Sequence, residues 1–384
     1  MIHTVTIIGA NGTMGRNVAA IFASFGNAKV YLVSRTLQKS IEAKEKAFLS
    51  VRAESIKEKM FPRDYSQLAE CIGESELIFE ACAEDWKVKE NIHKQISGYL
   101  SRNQIVCSGT SGLSITALSE IYNEDQRLGF VGMHFFNPPY HMTLCELIPT
   151  PHTDMEIFKS LCTYAKNVLH RTVVEVKDTP AFLGNRIGFH FINEAMQTAE
   201  THRCDGGIDY IDEILGPFTG REMPPMITAD FVGLDVHKAI VEHLYGNTCD
   251  YAHDTFLLPQ FVNALIEEGH LGRKSDGGLY RNHTRGDGEK TRQVYDIEKG
   301  NYREIRRYAF PFAKEMVGAI RAGDYGYAFT SMISHRSKEA RICCELLLKY
   351  ILYGMKVVEI IRGGVFAMGT MSWQPALTGV LPWL

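Results

Sequence analysis

Strong charge of either sign is missing from this chain of 384 residues, in which 41 Lys+Arg against 45 Asp+Glu leave a formal net charge of −4. Nucleic acid and anionic membrane surfaces therefore drop out as main partners, and a metabolite-sized ligand becomes the default. Cysteine is present but unpatterned. The 9 Cys form no C-x-x-C pair and no ladder of short spacings, which excludes a disulfide framework or zinc site, so no metal is expected. The adjacent Cys343 and Cys344 sit in an apolar helical stretch and are expected to be core residues. No apolar run reaches the ~18 residues of a membrane span. The longest, Leu346 to Ile361, is broken by Lys349, Lys356 and Glu359, so no membrane insertion is expected. The opening Met1-Ile2-His3-Thr4-Val5 lacks the blocks of a signal peptide, and the closing Leu-Pro-Trp-Leu is no retention or peroxisomal tripeptide, which points to a reducing, cytoplasmic location.

What is present is a hydrophobic content of 45%, enough for two or three domain cores. Up to about residue 150, short β-branched runs alternate with helical stretches. Strands are expected at Thr4–Ile8, Lys29–Val33, Glu76–Ala81, Gln104–Cys107, Gly129–Phe136 and Leu144–Ile148, with helices at 14–25, 36–59, 86–100 and 114–123. Such alternation implies crossovers and a mostly parallel, doubly wound sheet of Rossmann type. One more strand, Val173–Val176, is followed by Thr179-Pro180, which suits a helix N-cap with Pro at the first position. The chain then reads all-α to about 275. The domains expected are 1–178 for a dinucleotide, 179–282 helical, 283–300 a polar Gly-rich linker, and 301–384 a further helical region.

Gly9-Ala10-Asn11-Gly12-Thr13-Met14-Gly15 closes the first strand and opens a helix. Glycines there permit a tight turn and close approach of a pyrophosphate, and the helix N-terminus faces its charge. The spacing is one residue off G-x-G-x-x-G, with Ala10 where the first glycine would stand if Gly12 and Gly15 set the frame. About 20 residues on, NAD sites carry an acidic residue for the ribose hydroxyls. Here Ser34-Arg35 stand instead, a pair able to hold a 2′-phosphate, which on this position alone favours NADP; the alternative is that Arg35 merely starts a solvent-facing helix.

His134 lies in an otherwise apolar strand that breaks at Pro138-Pro139, and Glu146 is a lone carboxylate in a second apolar run. A buried carboxylate is costly unless paired, so the two are expected to meet if their strands are neighbours. The carboxylate would then orient the imidazole as a general base.

With these pieces in order, the sequence resembles the 3-hydroxyacyl-CoA dehydrogenase family from residue 3 to about 280. The resemblance rests on Gly12-Thr13-Met14-Gly15, Phe79-Glu80-Ala81 with Glu84 and Lys87-Val88-Lys89, Ser108-Gly109-Thr110-Ser111, and Gly132-Met133-His134-Phe135-Phe136-Asn137-Pro138. It continues in Asp178-Thr179-Pro180-Ala181-Phe182 with Asn185-Arg186, in Ala229 to Asp235, and in Leu271-Gly272-Arg273-Lys274. It implies an oxidoreductase that passes hydride between the C3 hydroxyl of an L-3-hydroxyacyl-CoA and NAD in fatty-acid β-oxidation. It also implies His134 as base, Glu146 as its orienting partner, and Ser111 and Asn185 as donors to the reacting oxygens. Asn137 would shape the pocket, and Glu84 and Lys89 would lie beside the cofactor. Without the resemblance, Asn185 serves equally as a helix residue bonding its neighbours and Ser111 as a turn residue. Arg52, Lys57 and Lys59 could meet CoA phosphates or form a solvated helix face.

Three departures bear on function. Gly109-Thr110-Ser111-Gly112 replaces the family's Asn-Thr-Ser-Ser, the segment before Glu84 is shorter than in members with a long helical arm, and the family's usual NAD conflicts with Ser34-Arg35. NAD is kept first and NADP as the alternative. Two further function classes stay open: an NADP-linked reductase of another hydroxy or keto acid, and a non-catalytic dinucleotide-binding protein of the lambda-crystallin kind. Residues 294–307 and the Thr219–Pro225 segment resemble the long bacterial fatty-acid oxidation members, which carry a second helical copy and an enoyl-CoA hydratase unit. No hydratase unit is present, and the pattern is lost beyond 362, so 301–384 is expected to be an incomplete second copy. The family dimerises through its helical domain, so a homodimer is one expectation and replacement of that interface within one chain the other.

Overall fold

The computed structural model describes residues 2–101, 103–216, 219, 223–286 and 288–362. Most of the Thr219–Arg221 stretch, Glu222, and everything expected beyond 362 lie outside the described residues. The chain divides into two units, Met1–Leu183 and Gly184–Ile360.

The first unit runs β1 (Thr4–Ile8), α1 (Thr13–Ser24), β2 (Lys29–Ser34), α2 (Leu37–Val51), β3 (Met60–Asp64), α3 (Leu68–Gly73), β4 (Leu77–Glu80) and α4 (Trp86–Tyr99). It continues through β5 (Ile105–Ser108), α5 (Ile115–Ser119), α6 (Glu124–Arg127), β6 (Phe130–Phe135), β7 (Leu144–Pro149), α7 (Met155–Asn167) and β8 (Thr172–Glu175). The strands form one sheet in the order β3-β2-β1-β4-β5-β6-β7-β8. All neighbours are parallel except β6 and β7, which pair antiparallel. The strands are apolar because helices cover the sheet, and Ile7, Leu32, Phe79, Met133 and Leu147 are fully or almost fully buried in its core.

Two sequence expectations change in this unit. The helix expected over 36–59 stops at Val51, where Arg52 takes a left-handed φ of 56°, and the edge strand β3 follows. Pro62 hides that strand from a pattern search, yet an edge position tolerates it because no ladder N–H is needed on the outer side. Nor does Thr179 cap a helix. Ala181 and Phe182 sit at φ of 57° and 53°, a turn that delays the next helix to Gly184.

The second unit contains α8 (Gly184–Thr201), α9 (Ile208–Ile214), α10 (Pro225–Val232), α11 (Leu234–Asn247) and α12 (Gln260–Glu267). Then come β9 (Tyr280–Thr284), β10 (Lys290–Asp296), β11 (Asn301–Glu304), α13 (Pro311–Arg321), α14 (Tyr325–Ser334) and α15 (Lys338–Arg362). The expected linker 283–300 is thus a folded antiparallel meander, order β11-β10-β9, with the Arg285 amide donating to the Glu289 carbonyl at 2.8 Å between β9 and β10. It reads as a linker because only Val294, Tyr295 and Asp296 of β10 are buried, leaving little alternation to detect. Arg303 grips Asp209 of α9 with both Nη atoms, at 2.6 and 2.8 Å. Asp230 accepts the Leu279 and Tyr280 amides at 2.8 Å each, and the Tyr280 hydroxyl donates to Asp212 at 2.8 Å.

Helix α15 lies on α8. His190 stacks on Tyr353 with ring centroids 3.8 Å apart and 8° between planes, Arg186 pairs with Asp250 at 2.7 Å, and the Tyr353 hydroxyl donates to Asp250 at 2.9 Å. Burial pushes His190 down to about 3, so the stacked ring is neutral.

Burial raises the Asp212 carboxyl to about 7 and Asp230 to about 6. A carboxyl raised in the folded state contributes fully below its unfolded value near 4 and loses that contribution as pH climbs through the folded value. Asp212→Asn can still accept from Met226 N and bond Tyr280. Its melting temperature relative to the parent chain should therefore rise between pH 4 and 7, by about 4 °C or more, in thermal scans. Histidine contributions of opposite sign are common to both chains and cancel. A flat difference would contradict the assignment.

Candidate active site and dinucleotide loop

The antiparallel register of β6 and β7 sets His134 directly opposite Glu146, so both side chains leave the same face. His134 Nδ1–H donates to Glu146 Oε2 at 2.7 Å, and the pair is buried. The second oxygen, Oε1, accepts the Leu183 amide at 3.1 Å, the amide that the left-handed turn at Ala181-Phe182 brings into place. The rings of Phe136 and Phe182 flank the imidazole at centroid distances of 4.6 and 5.6 Å. With Nδ1 committed, the neutral imidazole carries its free lone pair on Nε2. That nitrogen is the one available to take a proton.

A second buried carboxylate, Glu80 at the end of β4, organises the loops that follow the carboxyl ends of the strands. It accepts from Lys89 Nζ at 2.8 and 3.0 Å, from Ser108 Oγ at 2.8 Å and from the Cys82 amide at 2.6 Å. His93 Nε2 stands 3.4 Å away, and its Nδ1 meets the Tyr122 hydroxyl at 2.6 Å. Burial works against ionisation, but His93 and the Lys89 ammonium hold the Glu80 carboxyl well below its usual range. Sequence reasoning passed over Glu80 as a site, although it carries the signal that marked Glu146: a carboxylate in an apolar run.

Lys89 is itself 1% exposed, and its ammonium lies 3.5 Å from Glu84. Glu84 Oε1 accepts from Thr110 Oγ1 at 2.5 Å and from the Ser111 and Gly112 amides at 2.8 and 2.9 Å. Glu84, Lys89 and Ser111 are thus brought together around the loop after β5. Asp178 braces the next turn, accepting from Ser114 Oγ at 2.7 Å and from the Thr116 amide at 2.8 Å. Asn137 is exposed just past β6. Asn185 is the second residue of α8 and belongs to the second unit.

The loop after β1 fits a dinucleotide pyrophosphate. Gly9 has φ +83°, and a Cβ there would stand 2.6 Å from the Ala81 carbonyl. A Cβ on Gly15 would stand 2.5 Å from the Gly9 carbonyl. Gly9 therefore makes the tight turn that the shifted frame assigned to Ala10, and Gly15 lets α1 press on the strand. Gly12 is the N-cap and supplies no side chain, and the first turn of α1, with Thr13 and Met14, holds no acidic group. The backbone amides there are left for an anion. The Asn11 amide donates to Ser34 Oγ at 3.1 Å, while Arg35 is exposed. Arg52 is exposed, Lys59 is half-buried, and Lys57 is half-buried beside Glu54 at 3.4 Å. Among the described residues, no helix is long and apolar enough to cross a membrane, and no group of three or more His, Cys, Asp or Glu could hold a metal ion.

Removing Lys89 would leave Glu80 buried with Ser108, the Cys82 amide and His93 but without the ammonium. Lys89→Met is expected to destabilise the chain by about 3–5 kcal/mol in urea unfolding. A loss below about 1 kcal/mol would show that the pair is not needed.

Comparison with known proteins agrees with this geometry. Residues 4–179 match the NAD-binding domain of 3-hydroxyacyl-CoA dehydrogenase and residues 182–282 its C-terminal domain. The human mitochondrial hydroxyacyl-coenzyme A dehydrogenase is 31% identical over 296 residues, which cover 73% of this chain and 91% of that protein. A probable 3-hydroxyacyl-CoA dehydrogenase of Bacillus subtilis is 27% identical over 321 residues, 81% of this chain, but the match spans only 38% of that longer protein. The crystal structure of (S)-3-hydroxybutyryl-CoA dehydrogenase from Ralstonia eutropha superposes with a TM-score of 0.65 at 29% identity, covering 72% of this chain and 98% of that one. The chain belongs to the 3-hydroxyacyl-CoA dehydrogenase family of NAD-dependent oxidoreductases.

Proposed function

We propose that the chain oxidises the C3 hydroxyl of an L-3-hydroxyacyl-CoA to the ketone, and catalyses the reverse reduction, as a step of fatty-acid β-oxidation. The observation that carries this is the buried His134–Glu146 pair, 2.7 Å apart near the carboxyl end of β6 in a dinucleotide-type sheet. Bound NAD⁺ supplies the hydride acceptor. His134 Nε2 takes the hydroxyl proton while the C3–H bond breaks and its electron pair leaves with the hydrogen, so that the former O–H pair closes the C=O bond. In reduction the same nitrogen returns the proton. Glu146 holds the ring in one orientation and offsets the charge it gains.

Ser111, on the loop clamped by Glu84, donates to the reacting oxygen, and Asn185 has the corresponding role that the family resemblance gives it. Asn137 shapes the pocket. Glu84 and Lys89 stand beside the cofactor: Glu84 by fixing the loop, Lys89 by holding Glu84 and Glu80 in register.

Turnover of acetoacetyl-CoA with reduced cofactor tests the proposal, and no turnover of any C4 to C16 3-ketoacyl-CoA would end it. His134→Gln is expected to lower kcat by about 10²–10⁴ while cofactor affinity, read by fluorescence titration, changes by less than about five-fold. Loss of both together would make His134 a structural residue.

A further inference from the structure

The adenosine end of the dinucleotide loop is built differently from a site that reads free ribose hydroxyls. Such a site needs a carboxylate at the end of the second strand, where its oxygens accept from the 2′- and 3′-hydroxyls. In this chain β2 ends in Ser34, which is 1% exposed, with Oγ already accepting the Asn11 amide at 3.1 Å. The serine therefore ties the strand end to the phosphate loop, as do the Gly9 and Ala10 amides on the Val33 carbonyl at 3.0 and 3.2 Å. Arg35 follows at once and is exposed, and it makes no hydrogen bond or ion pair among the described residues. Thr36, next along, is the N-cap of α2 and accepts the Lys39 amide.

The carboxylate nearest in register is Asp64 on β3, paired with Ser34 across the ladder. It is turned to its own chain: Oδ1 accepts the Ser66 amide at 2.9 Å and the Ser66 hydroxyl at 2.6 Å. Thus the strand end that would meet the ribose offers an exposed guanidinium, with the Tyr65 phenol in its field, and no carboxylate of its own. A guanidinium has only donors to give, and a phosphate monoester, all acceptors, is its complement.

We propose that this subsite takes a ribose 2′-phosphate on Arg35, so that NADP(H) serves the chain alongside NAD(H). The inference rests on the dinucleotide-dependent dehydrogenase reaction proposed above and concerns only which adenosine end is held. Hydride and proton move as already described, with NADP⁺ in place of NAD⁺ as acceptor. Coenzyme A also carries a ribose phosphate, at the 3′ position, so the test must tell the two sources apart.

The experiment measures kcat/KM for NADPH and NADH on acetoacetyl-CoA with the full chain and with Arg35→Gln, an exposed substitution that leaves the core untouched. Inhibition by adenosine 2′,5′-bisphosphate, adenosine 3′,5′-bisphosphate and AMP is measured in parallel. The expected results are an NADPH-to-NADH ratio above about 0.1, a fall of that ratio by at least about five-fold in Arg35→Gln, and tighter inhibition by the 2′,5′-bisphosphate than by the other two nucleotides. A ratio below that bound, a smaller fall, or equal inhibition by AMP overturns the proposal while leaving the dehydrogenase reading intact. Tighter binding of the 3′,5′ isomer overturns it in favour of a coenzyme A contact. Loss of NADH turnover in Asp64→Asn would overturn it by placing the ribose acceptor on β3. No turnover and no binding with either dinucleotide would bring down the dehydrogenase reading itself.

Discussion

An ionised carboxylate shut inside a sheet has to be met by donors, and this constraint accounts for more of the first unit than any other. Glu146 is met by His134 and by the Leu183 amide. Supplying that amide forces Ala181 and Phe182 into left-handed backbone, a strain that non-glycine residues accept only when the surroundings hold them there. Glu80 is met by Lys89, Ser108 and the Cys82 amide, and meeting it pulls α4 and the loops after β4 and β5 onto one centre. One carboxylate thus fixes the His134 ring and the other gathers the loops beside it. Both lie where parallel strands end, the part of such a sheet where backbone groups are left for ligands.

The legible parts were those in which one residue type breaks a simple period. Strands β1 and β7 show as apolar runs bounded by turn residues, and His134 and Glu146 stand out because they interrupt such runs. That they face each other depends on β6 and β7 being antiparallel neighbours, and the spacing of twelve residues with a Pro-Pro break between allows that without requiring it. Elements whose stability comes from partners far along the chain did not show. Strand β3 contains Pro62 and is held by pairing to β2, while the meander β9–β11 is fastened by Arg303, Asp209 and Asp230, pairings that no local pattern of the sequence announces. Thr179-Pro180 carries a sound local signal for a helix start, and it yields to the bond between Leu183 and Glu146.

The phosphate loop shows the same division between local rule and tertiary context. Gly9 does the work of the first glycine one position early, because the carbonyl of Ala81, from the neighbouring strand, leaves no room for a side chain there. The shifted spacing that weakened the motif as a pattern is therefore an exact accommodation to the β4 loop. Ser34 Oγ accepts the Asn11 amide and so fastens the strand end to the loop, which leaves Arg35 as the exposed side chain there.

Helix α15 covers α8 through the His190–Tyr353 stack and the Arg186–Asp250 pair, and it belongs to the same polypeptide as the surface it covers. A cover joined by the backbone has an effective concentration set by the intervening chain, and dilution does not remove it. The apolar face of α8 is consequently shielded to the same degree in a single molecule at nanomolar concentration as in a crowded cell.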